Sequence, residues 1–336
     1  MKKVGKRTPS NMGSARIAGL AIGLCAVVSA CSSAGRQGAP LSAPSEPPVR
    51  TQQSPSTDGL SVFETSRTER VRRPAQETGS VETARVSEGC SRSGPWRIMP
   101  LGDSLTGGNS DLGYADSYRK HLWDSLRAGG RTDIDFVGTR KLDDGTFDGE
   151  NSGWGGFRAG PDNDVPDADG LPGSLYPYIE KFIAQPYTLN EESKKDWVTF
   201  ADPDIVLLNI GTNDGEANQA AIEARLAGLV AIIQIKAPTA RVVLSSIPPQ
   251  GGNVLITPLV GKAARKLALA SGGRVMYADI RGRMTVGDAT KGALPFSPDD
   301  WKGDGDTVHM KPSGGKKFAA AWLPTVEAAL KAPRCA

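Results

Sequence analysis

Between residues 97 and 330 short apolar runs alternate with longer amphipathic ones, and that alternation sets the architecture. Residues 97–101 are an apolar run that breaks off at Gly102-Asp103-Ser104 and then Gly107-Gly108, as a buried strand does when it stops in a tight turn. Residues 116–128 put Tyr118, Leu122 and Leu126 on one side of a helix that Gly129-Gly130 ends. A short strand is expected at 134–137, and residues 205–210 are apolar almost throughout, as in a central parallel strand covered on both faces. A helix over 219–236 stops before Pro238, and a strand over 241–246 is halted by Pro248-Pro249. A helix over 254–270, a strand at 275–278 and a last helix over 313–330 complete the series. Strands alternating with helices predict an α/β fold, a three-layer α/β/α sandwich on a five-stranded, mainly parallel sheet. One stretch breaks the rhythm. Residues 139–203 are rich in Gly, Asp and Pro with a single short helix expected near 175–185, and a connection that long usually walls a pocket or covers one.

The amino end follows other rules. Residues 1–16 carry Lys2, Lys3, Lys6, Arg7 and Arg16 without an acid, and 17–30 are an apolar and small-residue run too short to span a bilayer. That is the shape of a signal peptide, and Val28-Ser29-Ala30-Cys31 resembles a bacterial lipobox, which implies lipidation of Cys31 and a membrane anchor on an exported protein. Loss of the five cations of residues 1–30 takes the formal net charge from +3 to −2, so no basic stripe is left to hold nucleic acid. Residues 31–89 are Pro-, Ser- and Thr-rich, with seven cations and seven anions mixed over 32–88, and read as a solvated tether. The domain is expected over 90–336. Cys90 and Cys335 bracket it, and in an oxidising compartment two such cysteines are expected to pair, with two free thiols as the alternative.

The candidate chemistry sits where strands end, which is where open α/β sheets place their ligands. Ser104 is a weak nucleophile until a base reaches it. Only two histidines are present. His121 lies within a predicted helix as a surface or packing residue. His309 follows Asp306 by three residues, so a short loop can fold the carboxylate onto one ring nitrogen and turn the other toward Ser104. Gly211-Thr212-Asn213-Asp214 follows the central strand and offers an amide donor. Asp103 is expected to brace its turn through backbone N–H groups. Two histidines leave no ligand set for a catalytic zinc, and the acidic runs at 143–148 and 162–169 lack calcium-loop spacing, so no metal or other cofactor is expected.

In this order the motifs resemble those of the SGNH hydrolases, also called GDSL esterases and lipases, along the whole body of the chain. Gly102-Asp103-Ser104-Leu105 is similar to the family's first block, with Ser104 as nucleophile, and Asp306-Thr307-Val308-His309 is similar to the block that completes a Ser104, His309, Asp306 triad. Gly211-Thr212-Asn213-Asp214 is similar to the block whose Asn donates to the oxyanion. Ser152-Gly153-Trp154 is the best match to the block whose glycine N–H joins Ser104 N–H and Asn213 in that hole, with Gly155 and Gly156 near enough to compete. Residues 134–138 and 148–154 resemble the branch containing acetylxylan esterases and other carbohydrate deacetylases. The resemblance implies a flavodoxin-like fold and a secreted serine esterase removing O-acetyl groups, with an acetylated glycan or other small ester as partner. Trp154, Tyr114 and Trp301 are candidates to stack on a sugar. Lipid or aryl esters are the nearer alternative substrates, and a silent glycan-binding lipoprotein is the alternative of another class.

Overall fold

Seven strands, most of them too short to be stable alone, form a sheet around β1 (Trp96–Gly102), whose Ile98, Met99 and Leu101 are wholly buried. The computed structural model describes residues 92–108, 117–160, 171–185, 188–215, 218–250, 256–287 and 295–334. Tyr114, Cys31, Cys90, Cys335, the signal and the tether lie outside them. In chain order β1 is followed by α1 (Ser104–Gly107), α2 (Tyr118–Ala128), β2 (Ile134–Phe136), β3 (Arg140–Lys141) and β4 (Glu150–Gly153). Then come α3 (Tyr176–Glu180), α4 (Trp197–Ala201), β5 (Ile205–Asn209), α5 (Gln219–Lys236), β6 (Arg241–Ser245) and α6 (Ile256–Ala270). The series closes with β7 (Val275–Ala278), α7 (Ile280–Val286), β8 (Trp301–Gly303), β9 (Asp306–Met310) and α8 (Pro312–Lys331).

The sheet is mainly parallel in the order β3-β4-β1-β5-β6-β7, and β2 also pairs with β1. Ile98 has Phe136 on one side and Ile205 on the other, whereas Gly102 has Gly153 and Asn209. β2 and β4 therefore share one flank of β1, β2 along its first half and β4 along its last two residues. The five expected strands are all present, in five lateral positions, and the excursion between β2 and β4 adds β3, antiparallel to β4. Four residues of β5, Ile205 to Leu208, are fully buried, and burying each such aliphatic side chain is worth ~1.5–3 kcal/mol. Helices α5 and α6 pack together with α3 and α4 against α5, while α2 and α7 pack on α8, so two helical layers enclose the sheet. Tyr118 joins α2 to α8 through Phe318 and Trp322, with ring centroids 4.8 and 5.4 Å away.

Besides the unexpected β3, α4, α7 and β8, two differences from expectation bear on the site. β4 lies inside the stretch read as one long connection, because its Glu-Asn-Ser-Gly sequence shows no apolar alternation. Asn151 and Ser152 are nevertheless buried, and Ser152 Oγ accepts from the Thr139 N–H at 3.0 Å. Residues 306–309 were expected in a loop and instead lie on β9, paired with β8. The two chain ends of the domain also meet: Arg334 donates to the Arg92 and Gly94 carbonyls (3.0 and 2.8 Å) and to Asp204 (2.8 Å).

Candidate active site

The nucleophile turn is built by close packing of backbone. A Cβ at Gly102 would overlap the Asn209 carbonyl oxygen and press on Thr106 Oγ1 at 2.8 Å, so only glycine lets β1 leave the sheet here. Asp103 then caps α1 with Oδ1 accepting from the Leu105 N–H at 2.9 Å. From Leu101 to Gly107 every residue is buried except Ser104, whose hydroxyl stands at the carboxyl rim of the sheet. No described residue accepts from the Ser104 N–H. Arg119 braces the turn from behind. Its fully buried guanidinium donates to the carbonyls of Thr106 (2.8 Å), Gly107 (3.0 Å) and Gly149 (2.8 Å).

The base comes from the other end of the chain. His309 Nε2 lies 2.9 Å from Ser104 Oγ, and Nδ1 lies 2.8 Å from Asp306 Oδ2. A regular strand would turn residues three apart to opposite faces. Here Gly303 pairs with Asp306 and Trp301 with Met310, so two steps along β8 face four along β9, and within this irregular stretch the two side chains meet. Asp306 Oδ1 also accepts from the His309 and Val308 N–H groups at 2.9 and 3.0 Å. Burial opposes the charge on Asp306, but those two N–H groups and the His309 ring outweigh it and hold the carboxyl below its ordinary range. This arrangement can take a proton from the serine through an imidazole held in one orientation.

Asn213 is the one residue of Gly211 to Asp214 that is not buried. Its loop is pinned to residues 157–159 by several bonds. Asn213 Nδ2 donates to the Phe157 carbonyl (3.0 Å), Arg158 Nε to the Asn213 carbonyl (3.0 Å), and the Ala159 N–H to Asp214 Oδ2 (2.9 Å). Arg225 of α5 pairs with Asp214 at 3.2 Å, both side chains nearly inaccessible. One amide proton of Asn213 is thus spent on orientation, and the other remains for a ligand.

Other expected site residues are placed differently. The Gly153 N–H donates to Asn151 Oδ1 at 2.9 Å and its carbonyl accepts from Arg140 at 2.6 Å, whereas no described residue accepts from the N–H groups of Gly155 and Gly156 in the exposed turn beyond it. Trp154 does not stand free. The Arg140 guanidinium lies 4.2 Å from its ring centre, and the ring continues a stack through Phe157 and Trp197 (6.2 and 6.1 Å). Trp301 packs edge-on to Phe296 at 4.6 Å, which anchors the hairpin. His121 lies on α2. Asp143 and Asp144 bond the N–H groups of Gly145 and Thr146, and Asp162 to Asp169 lie outside the described residues.

Asp103 carries more than the turn-bracing expected of it. It is wholly buried, and burial, helped by repulsion from Asp214, pushes its carboxyl up to about 7 against the Leu105 N–H, the Thr212 hydroxyl and the charge of His309. Arg119 and Arg225 were not singled out at all. The signal was a cation on an apolar stripe: Arg119 leads Leu122 and Leu126 by three and seven, and Arg225 follows Ile222 by three.

The sequence profile of the GDSL-like lipase/acylhydrolase family matches residues 98–322. The chain belongs to the GDSL-like lipase/acylhydrolase family. It is 30% identical over 263 residues to a multidomain esterase of Ruminococcus flavefaciens, covering 72% of this chain and 30% of that protein. The chain therefore spans under a third of the length of that relative. Among solved structures, a family 3 carbohydrate esterase of Clostridium thermocellum superposes with a TM-score of 0.52 at 22% identity, over 70% of this chain and 98% of that one. A family 3 carbohydrate esterase from Talaromyces cellulolyticus gives 0.50 at 21% identity, over 71% and 100%. Both neighbours share with this chain the fold of a mainly parallel sheet between helices.

Proposed function

We propose that this GDSL-family protein is a serine esterase that removes O-acetyl groups from carbohydrate through an acyl-enzyme on Ser104. The observation that carries the reading is the unbroken relay from Asp306 to His309 to Ser104, with contacts of 2.8 and 2.9 Å. Ser104 Oγ attacks the ester carbonyl as its proton passes to His309 Nε2. The tetrahedral intermediate collapses, and His309 returns that proton to the departing sugar hydroxyl. Water, deprotonated by the same nitrogen, then releases acetate. The negative oxygen is met by the Ser104 N–H and the free amide proton of Asn213. Gly153 can serve as a third donor only by sharing its N–H with Asn151, whereas Gly155 and Gly156 bring unshared ones. The carbohydrate assignment draws support from the esterase names of the relatives and from residues 148–154.

Acetate release from acetylated xylo-oligosaccharide by wild type and Ser104→Ala, set beside p-nitrophenyl esters of increasing chain length, tests the reading. Turnover confined to short acyl groups and lost in Ser104→Ala is expected. A preference for long acyl chains would overturn the sugar assignment in favour of lipid esters, and hydrolysis unchanged in Ser104→Ala would remove the mechanism.

We also propose export with a lipid anchor at Cys31 and a Cys90–Cys335 disulfide, which the meeting of Arg92 with Arg334 supports. Mass spectrometry of the non-reduced protein reads the bridge, and membrane fractionation of Cys31→Ser reads the anchor.

A further inference from the structure

A second pocket opens on the same rim of the sheet as Ser104, and its chemistry is unlike that of the triad. Its cavity is about 340 Å³, and it lies where β6 and β7 end, between the first three turns of α6 and the start of α7. Lys262 and Arg265 reach it from α6 and Arg281 from the start of α7. None of the three side chains forms a hydrogen bond or ion pair with a described residue. One carboxylate shares the wall, that of Asp279, and its Oδ1 is already occupied by the Gly282 N–H (3.0 Å) and the Tyr277 hydroxyl (3.1 Å). The Lys262 charge also acts on Glu223, whose carboxylate is bonded by Lys266 at 2.6 Å. Three cations without a hydrogen-bonded partner among the described residues thus line one cavity that holds a single carboxylate.

We infer that this pocket binds an oxyanion, a carboxylate or a phosphate, carried by the glycan whose ester is cut at Ser104. The inference rests on the carbohydrate-esterase reading for its substrate, but not for its ligand chemistry. Two guanidinium groups and an ammonium suit a carboxylate or phosphate, whose charge they match as well as its lone pairs, better than a neutral sugar that offers lone pairs alone. The placement also fits. β1 and β6–β7 stand two to three strands apart, which is about 10–15 Å along the rim at the usual strand spacing. A chain lying across the rim would bring its ester to Ser104 and a charged substituent to the pocket. Lys262 and Arg265 are exposed, so truncating them removes charge without opening the core.

The test uses the full chain with Lys262, Arg265 and Arg281 changed to Ala singly and together. Acetate release is measured on acetylated oligosaccharides that are neutral, uronate-bearing or phosphate-bearing. Wild type is expected to favour one acidic substrate over the neutral one by about tenfold in kcat/KM, through KM, with the margin shrinking as salt rises. The triple variant should lose that margin while its kcat on the neutral substrate and on p-nitrophenyl acetate stays unchanged. Which acidic arm wins identifies carboxylate or phosphate. Equal rates on all three, or a margin that survives the triple substitution, would overturn the inference. Binding of glucuronate and of inorganic phosphate to Ser104→Ala, followed by titration calorimetry, separates the two readings. If no glycan is deacetylated but either anion binds and the triple substitution abolishes it, the substrate reading fails and the anion site stands. If neither anion binds, the pocket proposal fails whatever the glycan result.

Discussion

Replacing Asp103 by Asn should change how stability depends on pH. The carboxyl is fully buried beside Ser104 and titrates near 7 in the folded protein, against 3.8 for the ordinary group. Below about pH 4 it is protonated in both states. Between 4 and 7 the folded chain keeps a proton that the unfolded chain has lost, so stability falls as pH rises through that window. The gap is worth roughly 4 kcal/mol in total at 1.36 kcal/mol per pH unit. Asparagine keeps an oxygen for the Leu105 N–H but cannot ionise, so this dependence disappears. Burial also raises Asp148 and Glu150, which add slope of the same sign to both proteins and cancel in the difference. Urea unfolding of wild type and Asp103→Asn at intervals from about pH 4.5 to 8 reads that difference directly. The variant should gain on wild type by roughly 3 kcal/mol across that range, since the first kcal/mol or so is already lost by pH 4.5. A difference constant within ~0.5 kcal/mol would refute the assignment of a buried, near-neutral carboxyl to this position.

Three further outcomes are expected. Asn213→Ala should lower kcat by ~100- to 1000-fold on p-nitrophenyl acetate with KM little changed, as for loss of one oxyanion donor, and an unaltered kcat would remove Asn213 from the hole. Arg225→Met strands the Asp214 charge in the core, so chemical denaturation should show a loss of about 3–5 kcal/mol, accompanied by weaker catalysis because the Asn213 loop is released. Gly102→Ala drives a methyl into the Asn209 carbonyl, and calorimetry should find it destabilised by at least about 1–3 kcal/mol or unable to fold.

The parts of the site that could be read from the chain were those whose residue types have few other uses at the end of a strand. Gly102-Asp103-Ser104 after an apolar run and Asn213 after the most buried strand each named a strand end and a chemistry together, and His309 three residues beyond a carboxylate named a chemistry alone. What escaped was set by tertiary partners. β4 is a buried strand of polar residues, legible only once Thr139 is known to satisfy Ser152. The bulge in the β8–β9 pair leaves no mark in the order Asp306, Thr307, Val308, His309. Trp154 looked free for a sugar because nothing along the chain shows that Arg140, 14 residues earlier, covers it.

Because Asp306 and His309 ride on one bulged ribbon, the acid and the imidazole are carried as a single cartridge. Any swing of that ribbon leaves their mutual bond intact and alters one separation alone, the gap across which the ring meets Ser104. Alignment of the proton relay is thereby reduced to one mechanical coordinate.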